Sequence, residues 1–382
     1  MFRKRLWLSV VLTCLAGCAA ISDRTSSSQI PWQDEIFAHD GKLVTVTKED
    51  LFRLDPELMQ KLNDPAVQEL STPQRLEFLL GLLYGQEMKS FPYARGHSSI
   101  ATETWRQKQG DCLSLTVLAF SMAHQMKMTA QMQEVKVGVL FDRREGLDFF
   151  SDHVNVLLRR SGLLRWSEGR LEPADMIVDF EPQTSSNREG RALSDNAILA
   201  RFYNNIAVEH FVDGSHMLAY AHFKAAILAD PGFPPSYSNL ALLYQRTGLL
   251  ADTEQLLRLA VRLSDANVIP LTALYQLMLA QGRQKDAAHY ARLLQSKREE
   301  DPYHLIDLGI KHLNDGEIYE AITALRQAQR MTNGFEEVHR YLAAAYLRAG
   351  DQDQANEQLG LLATLNRERP DGAVSLKKMA TP

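Results

Sequence analysis

Cysteine is scarce in this chain, with 3 in 382 residues, and two of those lie at Cys14 and Cys18, close to the start. Cys112 is then alone in the body of the protein and cannot form an internal disulfide. Long apolar runs are also missing. The longest near the start, Leu6 to Leu12, falls well short of the roughly 20 residues that a membrane-spanning helix needs. No long basic run occurs beyond the first residues and the formal net charge is -5, which argues against a nucleic-acid partner. The sequence has no glycine loop of the phosphate-cradling or dinucleotide type. His124, His210, His216 and His222 stand on helical segments without a cysteine or carboxylate at ligand spacing, so neither a metal nor a cofactor is expected.

What is present begins with an address. Arg3, Lys4 and Arg5 form a positive region, the Leu6 to Leu12 stretch follows, and Leu15, Ala16, Gly17 and Cys18 close it with small residues and a thiol. This ending resembles the lipobox of bacterial lipoprotein signal peptides. The resemblance implies a signal peptide over residues 1–18, acylation of Cys18, and attachment to the membrane through that lipid. Ala19 in place of an acidic residue implies the outer membrane, with the protein facing the periplasm. Residues 19–44, Ser-rich at first, are expected as a tether. In such an oxidising compartment cysteines are normally paired, so an unpaired Cys112 is either buried and inert or chemically employed.

Glycines at 214, 248, 282, 316 and 350 recur every 34 residues. Eight residues before each stands an apolar residue: Ile206, Leu240, Leu274, Leu308 and Leu342. Five residues after each stands a small one: Ala219, Thr253, Ala287, Ala321 and Ala355. Twelve after come Ala226, Ala260, Leu294, Ala328 and Leu362. A helix, a turn and a second helix at this period resemble the tetratricopeptide repeat. The chain is therefore expected to hold five helix pairs over residues 200–369, an all-α solenoid whose groove takes a protein or peptide partner, with a tail over 370–382. The first repeat departs most from the pattern, with His210 where an aromatic is usual.

Residues 45–198 lack the period. Thr72 to Met88 reads as a mostly buried helix, Ala101 to Gly110 as a short helix and turn, and the run from Cys112 as a central buried helix with Cys112 in its first turn. Unsatisfied N–H groups and the helix dipole there favour a thiolate. Alternation over Glu134 to Phe141, Asp152 to Leu158 and Met176 to Phe180 reads as three strands of an antiparallel meander, an α+β arrangement. His153, Asn155 and Leu157 share one face of the second strand, and Asp179 lies near the end of the third.

Gly110-Asp111-Cys112 at a helix start, Asp152-His153-Val154-Asn155-Val156 in a strand and Ile177-Val178-Asp179-Phe180 in the next resemble the Cys, His and Asp motifs of the papain-like transglutaminase-like superfamily, over about residues 69–195. The resemblance implies an acyl-transfer enzyme in which Cys112 attacks an amide or ester carbonyl, His153 moves the proton and Asp179 orients the imidazole. Trp105, Gln107 and Gln109 are the upstream candidates for an oxyanion donor, and His97 for a residue lining the cleft. The alternative is a non-catalytic envelope adaptor in which both parts bind protein.

Overall fold

The first helices are written into the chain by their caps. The computed structural model describes residues 30–84, 91, 97–135, 141–144, 147–150, 153–159, 164–167, 170–173, 175–180, 190–264, 268–299, 302–331 and 336–368. The expected signal peptide, Cys18, most of the expected Ser-rich stretch and the tail lie outside them. Helix α1 (Lys48–Phe52) opens on a reciprocal cap between Thr47 and Asp50. Helices α2 (Pro56–Leu62) and α3 (Pro65–Gln68) each open on an Asp-Pro pair, the aspartate accepting from the first free N–H groups. They lead to α4 (Thr72–Tyr84), α5 (Ala101–Gln107) and α6 (Cys112–Gln125), of which α6 is buried along nearly its whole length.

Among the described residues eight strands follow: β1 (Thr129–Val135), β2 (Phe141–Arg144), β3 (Leu147–Phe150), β4 (His153–Arg159), β5 (Leu164–Ser167), β6 (Arg170–Pro173), β7 (Met176–Val178) and β8 (Arg191–Ala192). Four of them form one sheet in the order β7-β4-β1-β8, while β2-β3 and β5-β6 make separate hairpins. The expected plain meander is thus corrected. The sheet pairs β1 with β4 and β4 with β7 antiparallel, and each connection between them carries a hairpin of its own. The first strand also starts earlier than its alternation suggested, at Thr129. Val154, Val156 and Leu158 join Met132, Met176 and Val178 in a core shared with α6 residues such as Val117 and Met122.

The remaining ten helices are α7 (Asp195–Val212), α8 (His216–Ala229), α9 (Pro234–Arg246), α10 (Leu250–Leu263), α11 (Val268–Ala280), α12 (Gln284–Glu299), α13 (Pro302–Asp315), α14 (Ile318–Met331), α15 (Glu336–Ala349) and α16 (Gln352–Glu368). They form five pairs. Each periodic glycine sits between the helices of a pair at φ of 70 to 82°, and an added Cβ would meet nothing within 4 Å. The requirement is therefore for left-handed backbone and not for space. Ala219, Ala321 and Ala355 are fully buried where the helices of a pair cross, and Thr253 manages there by bonding its hydroxyl to the Leu249 carbonyl at 2.9 Å.

One expectation about organisation changes, that of the tether. The α+β part and the first helix pair share a core: Ile198, Leu199, Phe202 and Tyr203 of α7 pack with the residues of the α+β part, and the chain from Pro31 onward is one compact unit. Residues 31–39, expected as part of the tether, are docked on the first two helix pairs. Phe37 stacks on Tyr220 and Tyr244 with ring centres 4.6 and 5.8 Å away. Lys224 donates to both Asp34 oxygens at 2.6 and 2.8 Å, and the Tyr220 hydroxyl donates to Asp34 Oδ1 at 2.7 Å. The Tyr244 hydroxyl donates to the Pro31 carbonyl at 2.8 Å, and Gln33 Nε2 to Asp252 at 2.6 Å.

Candidate active site

Cys112 occupies the first position of α6 because Gly110 and Asp111 bring the chain there tightly. A Cβ on Gly110 would lie 2.9 Å from the Cβ of Ser114 and 3.2 Å from Thr104 Cγ2, so no larger residue fits without movement. Asp111 is the cap, accepting the Ser114 N–H at 2.8 Å and the Ser114 hydroxyl at 2.6 Å. Ser98 donates its hydroxyl to the other Asp111 oxygen, and the Ser99 N–H donates to Ser114 Oγ at 2.9 Å. The first repeat helix holds this loop in turn: Asn205 of α7 donates to Ser98 Oγ at 3.0 Å, and Glu209 accepts the Ser98 N–H at 2.9 Å. Cys112 itself is buried, with 8% of its surface exposed.

One turn further along α6, the Thr116 hydroxyl donates to the Val154 carbonyl at 3.3 Å. That bond ties the helix of Cys112 to the strand of His153. His153 opens β4 opposite Val135 and is fully enclosed. Its Nε2 lies 2.8 and 2.9 Å from the two oxygens of Asp179, which follows the end of β7. Asn155 Nδ2 donates to Asp179 Oδ2 at 3.2 Å. The strand register explains the meeting. Val156 faces Val178, so the next residues along the two antiparallel strands bring Asn155 and Asp179 together, on the face that His153 shares.

The structure thus puts His153 and Asp179 in direct contact and sets Cys112 at the head of the helix packed on their sheet. It adds three residues to the sequence reading. Along the sequence Asn155 is only a neighbour of His153 on one strand face, and in the fold it donates to the Asp179 carboxylate. Tyr84, at the end of α4, stacks on Phe180 with ring centres 6.0 Å apart. Burial, aided by the nearby Asp179 charge, pushes its phenol well above the usual range. Gln133 of β1 stands opposite Asn155, almost wholly buried, with neither polar atom of its amide hydrogen bonded among the described residues. No local sequence signal marks Tyr84 or Gln133, since both arrive through pairing or packing across the fold.

The upstream candidates fare differently. Gln107 and Gln109 are exposed. Trp105 belongs to the core, with the Lys108 ammonium over its ring. Burial draws the Lys108 ammonium down to about 8. His97 is 55% exposed and lies 3.6 Å from Glu209. His210 and His222 face each other with ring centres 5.1 Å apart, and burial lowers both below the usual histidine range. Among the described residues no three His, Cys, Asp or Glu side chains gather to hold a metal ion, and no helix is long and apolar enough to cross a membrane.

No family model matches the chain, and no curated protein matches it either. Solved structures similar to part of it include the MamA protein, at 19% identity over 44% of this chain and 93% of that one, with a TM-score of 0.25. Another is YrrB, described as a TPR protein with an unusual peptide-binding site, at 18% identity over 48% of this chain and 92% of that one, with a TM-score of 0.24. A third is MamA of Desulfovibrio magneticus RS-1, at 17% over 47% and 100%, with a TM-score of 0.25. Scores this low carry no argument. The repeat architecture stands on the five helix pairs and their glycine period.

Proposed function

We propose that this chain is a thiol acyl-transfer enzyme of the transglutaminase-like kind, joined to tetratricopeptide-type helix pairs that bind protein. The single observation supporting the chemistry most strongly is the contact of His153 Nε2 with both oxygens of Asp179, on the sheet that carries α6 and Cys112. With Nε2 engaged by the carboxylate, the proton traffic of catalysis falls to Nδ1. Cys112, having passed its proton to His153 Nδ1, attacks the carbonyl carbon of an amide as the thiolate. Collapse of the tetrahedral adduct breaks the C–N bond, and His153 returns that proton to the departing amine. Water then attacks the thioester, giving one proton to His153, and the acid leaves as Cys112 is restored. Backbone N–H groups at the start of α6 face the developing oxyanion. Asp179 holds the imidazole tautomer, and Asn155 holds Asp179. Hydrolysis is the favoured outcome over cross-linking, because a second amine would have to outcompete water.

The direct test is acylation by p-nitrophenyl acetate: a stoichiometric burst of nitrophenol, with the acetyl group on Cys112 by mass spectrometry, and both lost in His153→Ala. A reading as a non-catalytic adaptor draws on the burial of Cys112 and His153. It takes over if native protein shows no burst and acylation appears only after unfolding. The proposed setting is the outer membrane, through a lipid on Cys18. Cys18→Ser should release the chain from the membrane fraction, and a variant that stays bound removes that assignment.

A further inference from the structure

A shift of 34 residues carries each groove between successive second helices of the repeats onto the next, so these grooves can be compared position for position. Between α8 and α10, the positions are Tyr220, Lys224, Tyr244 and Asp252, and residues 31–39 fill the space. One period on, between α10 and α12, they become Glu254, Arg258, Met278 and Asp286. There the chain's own ion pairs close the groove: Arg283 bridges Glu254 at 2.5 Å and Asp286 at 2.6 Å, and Arg258 reaches Glu254 at 2.6 Å.

Three periods beyond the first groove, between α14 and α16, the same positions read Ile322, Arg326, Tyr346 and Gln354. The floor tyrosine has returned beside the cation, which every one of these three grooves keeps. This groove holds a cavity of about 700 Å³, with Tyr319 and Arg330 at its walls beside those four and one carboxylate, Asp351, so that its two guanidinium groups outnumber its acid. Arg326 lies against Tyr346, its guanidinium carbon 5.5 Å from the ring centre, and bonds to the Tyr346 hydroxyl and to Gln354 Oε1, the latter at 2.8 Å. Tyr319 is 75% exposed.

We infer that the α14–α16 groove is a second docking site, and that its occupant is an extended acidic partner segment carrying an aromatic ring, of the chemistry that residues 31–39 offer to the first. The match is one of charge and shape. Where Lys224 takes the Asp34 carboxylate, Arg326 and Arg330 present two guanidinium groups, which bind carboxylates in a planar fork. Where Tyr244 underlies Phe37, Tyr346 lies in the floor beneath Arg326 with 4% of its surface exposed, and the open ring is that of Tyr319, with Ile322 as an aliphatic wall in place of Tyr220. The inference rests on the protein-binding reading of the repeats and is independent of the chemistry at Cys112.

The test is fluorescence anisotropy with a labelled peptide of residues 31–39, Pro-Trp-Gln-Asp-Glu-Ile-Phe-Ala-His, titrated with the full mature chain. Saturable binding is expected, weakened about tenfold or more by Arg326→Glu or Tyr346→Ala, and equally by peptides carrying Asp34→Asn or Phe37→Ala. Circular dichroism of each variant checks that the helices persist, and the peptide variants leave the protein untouched. Absence of saturable binding overturns the proposal. Binding that is lost in Lys224→Glu but indifferent to Arg326→Glu also overturns it, while leaving the repeats as peptide binders through the first groove. Self-association of the chain that vanishes with Phe37→Ala would put a second copy's segment in the groove, and overturns the assignment to a separate partner.

Discussion

Ala219, Ala321 and Ala355 answer to one another across the repeats, and so do the five turn glycines, whereas Cys112, His153 and Asp179 each occur once, at the start of a helix, at the start of a strand and just past the end of another. In the helix pairs a position's job is set by the period, so departures from it carry the information. Tyr220 and Lys224 stand out because Glu254 and Arg258 replace them one period later and form ion pairs of their own. In the α+β part nothing repeats, and only the convergence of unlike side chains reveals a purpose. The two are mechanically joined, since Asn205 and Glu209 of the first repeat helix hold the loop whose Ser98 supports the cap of α6.

The comparison breaks most sharply at the site. Cys112→Ser or His153→Ala should lower acyl transfer by roughly 10³-fold or more, while Tyr346→Ala leaves it unchanged, as measured by ester hydrolysis. Equal losses in all three would mean that the two parts are not separable in function. Next in size is Phe37→Ala, which empties a stacked aromatic site and should cost about 3 kcal/mol of docking. Hydrogen exchange over residues 31–39 should rise with little change at α6.

Two glycine substitutions then sharpen the contrast between steric and conformational demand. Gly110→Ala meets Ser114 and Thr104 and should lower stability by about 2 kcal/mol in denaturant unfolding. Gly248→Ala meets nothing but must hold φ at 81°, and about 1 kcal/mol is expected. The smallest effect concerns pH. Burial lowers His210 and His222 in the folded state, so the unfolded chain binds more protons as pH falls below 6.5. Stability of the first repeat should therefore be full above that pH and decline below it, and His222→Phe should flatten the decline in thermal melts at pH 5 and pH 7.

The sequence showed the repeats best, because a 34-residue period with a left-handed glycine is imposed by backbone geometry at every turn. The helix that begins at Cys112 and the strand that begins at His153 are legible too, since at 14 and 7 residues they are long enough to show their periodicity. The three short helices before α4 went unread: at five, seven and four residues they have no period, although Asp55-Pro56 and Asp64-Pro65 carry clear capping signals. The hairpins inserted in the sheet connections were hidden by the same brevity. The docking of residues 31–39 was missed for another reason. A short segment with Trp32, Asp34 and Phe37 looks like linker until Tyr220, Lys224 and Tyr244 are placed beneath it. Gln133 and Tyr84 reach the site only through tertiary packing.

The central claim is that the sulfur of Cys112 is ionised by its partnership with His153. Its most direct test is the rate of iodoacetamide alkylation of Cys112 against pH in the native protein. The account predicts alkylation that persists well below the ordinary thiol range near about 8.5 and collapses in His153→Ala. A rate that follows an ordinary thiol and ignores His153, or a sulfur that reacts only after denaturation, would contradict it.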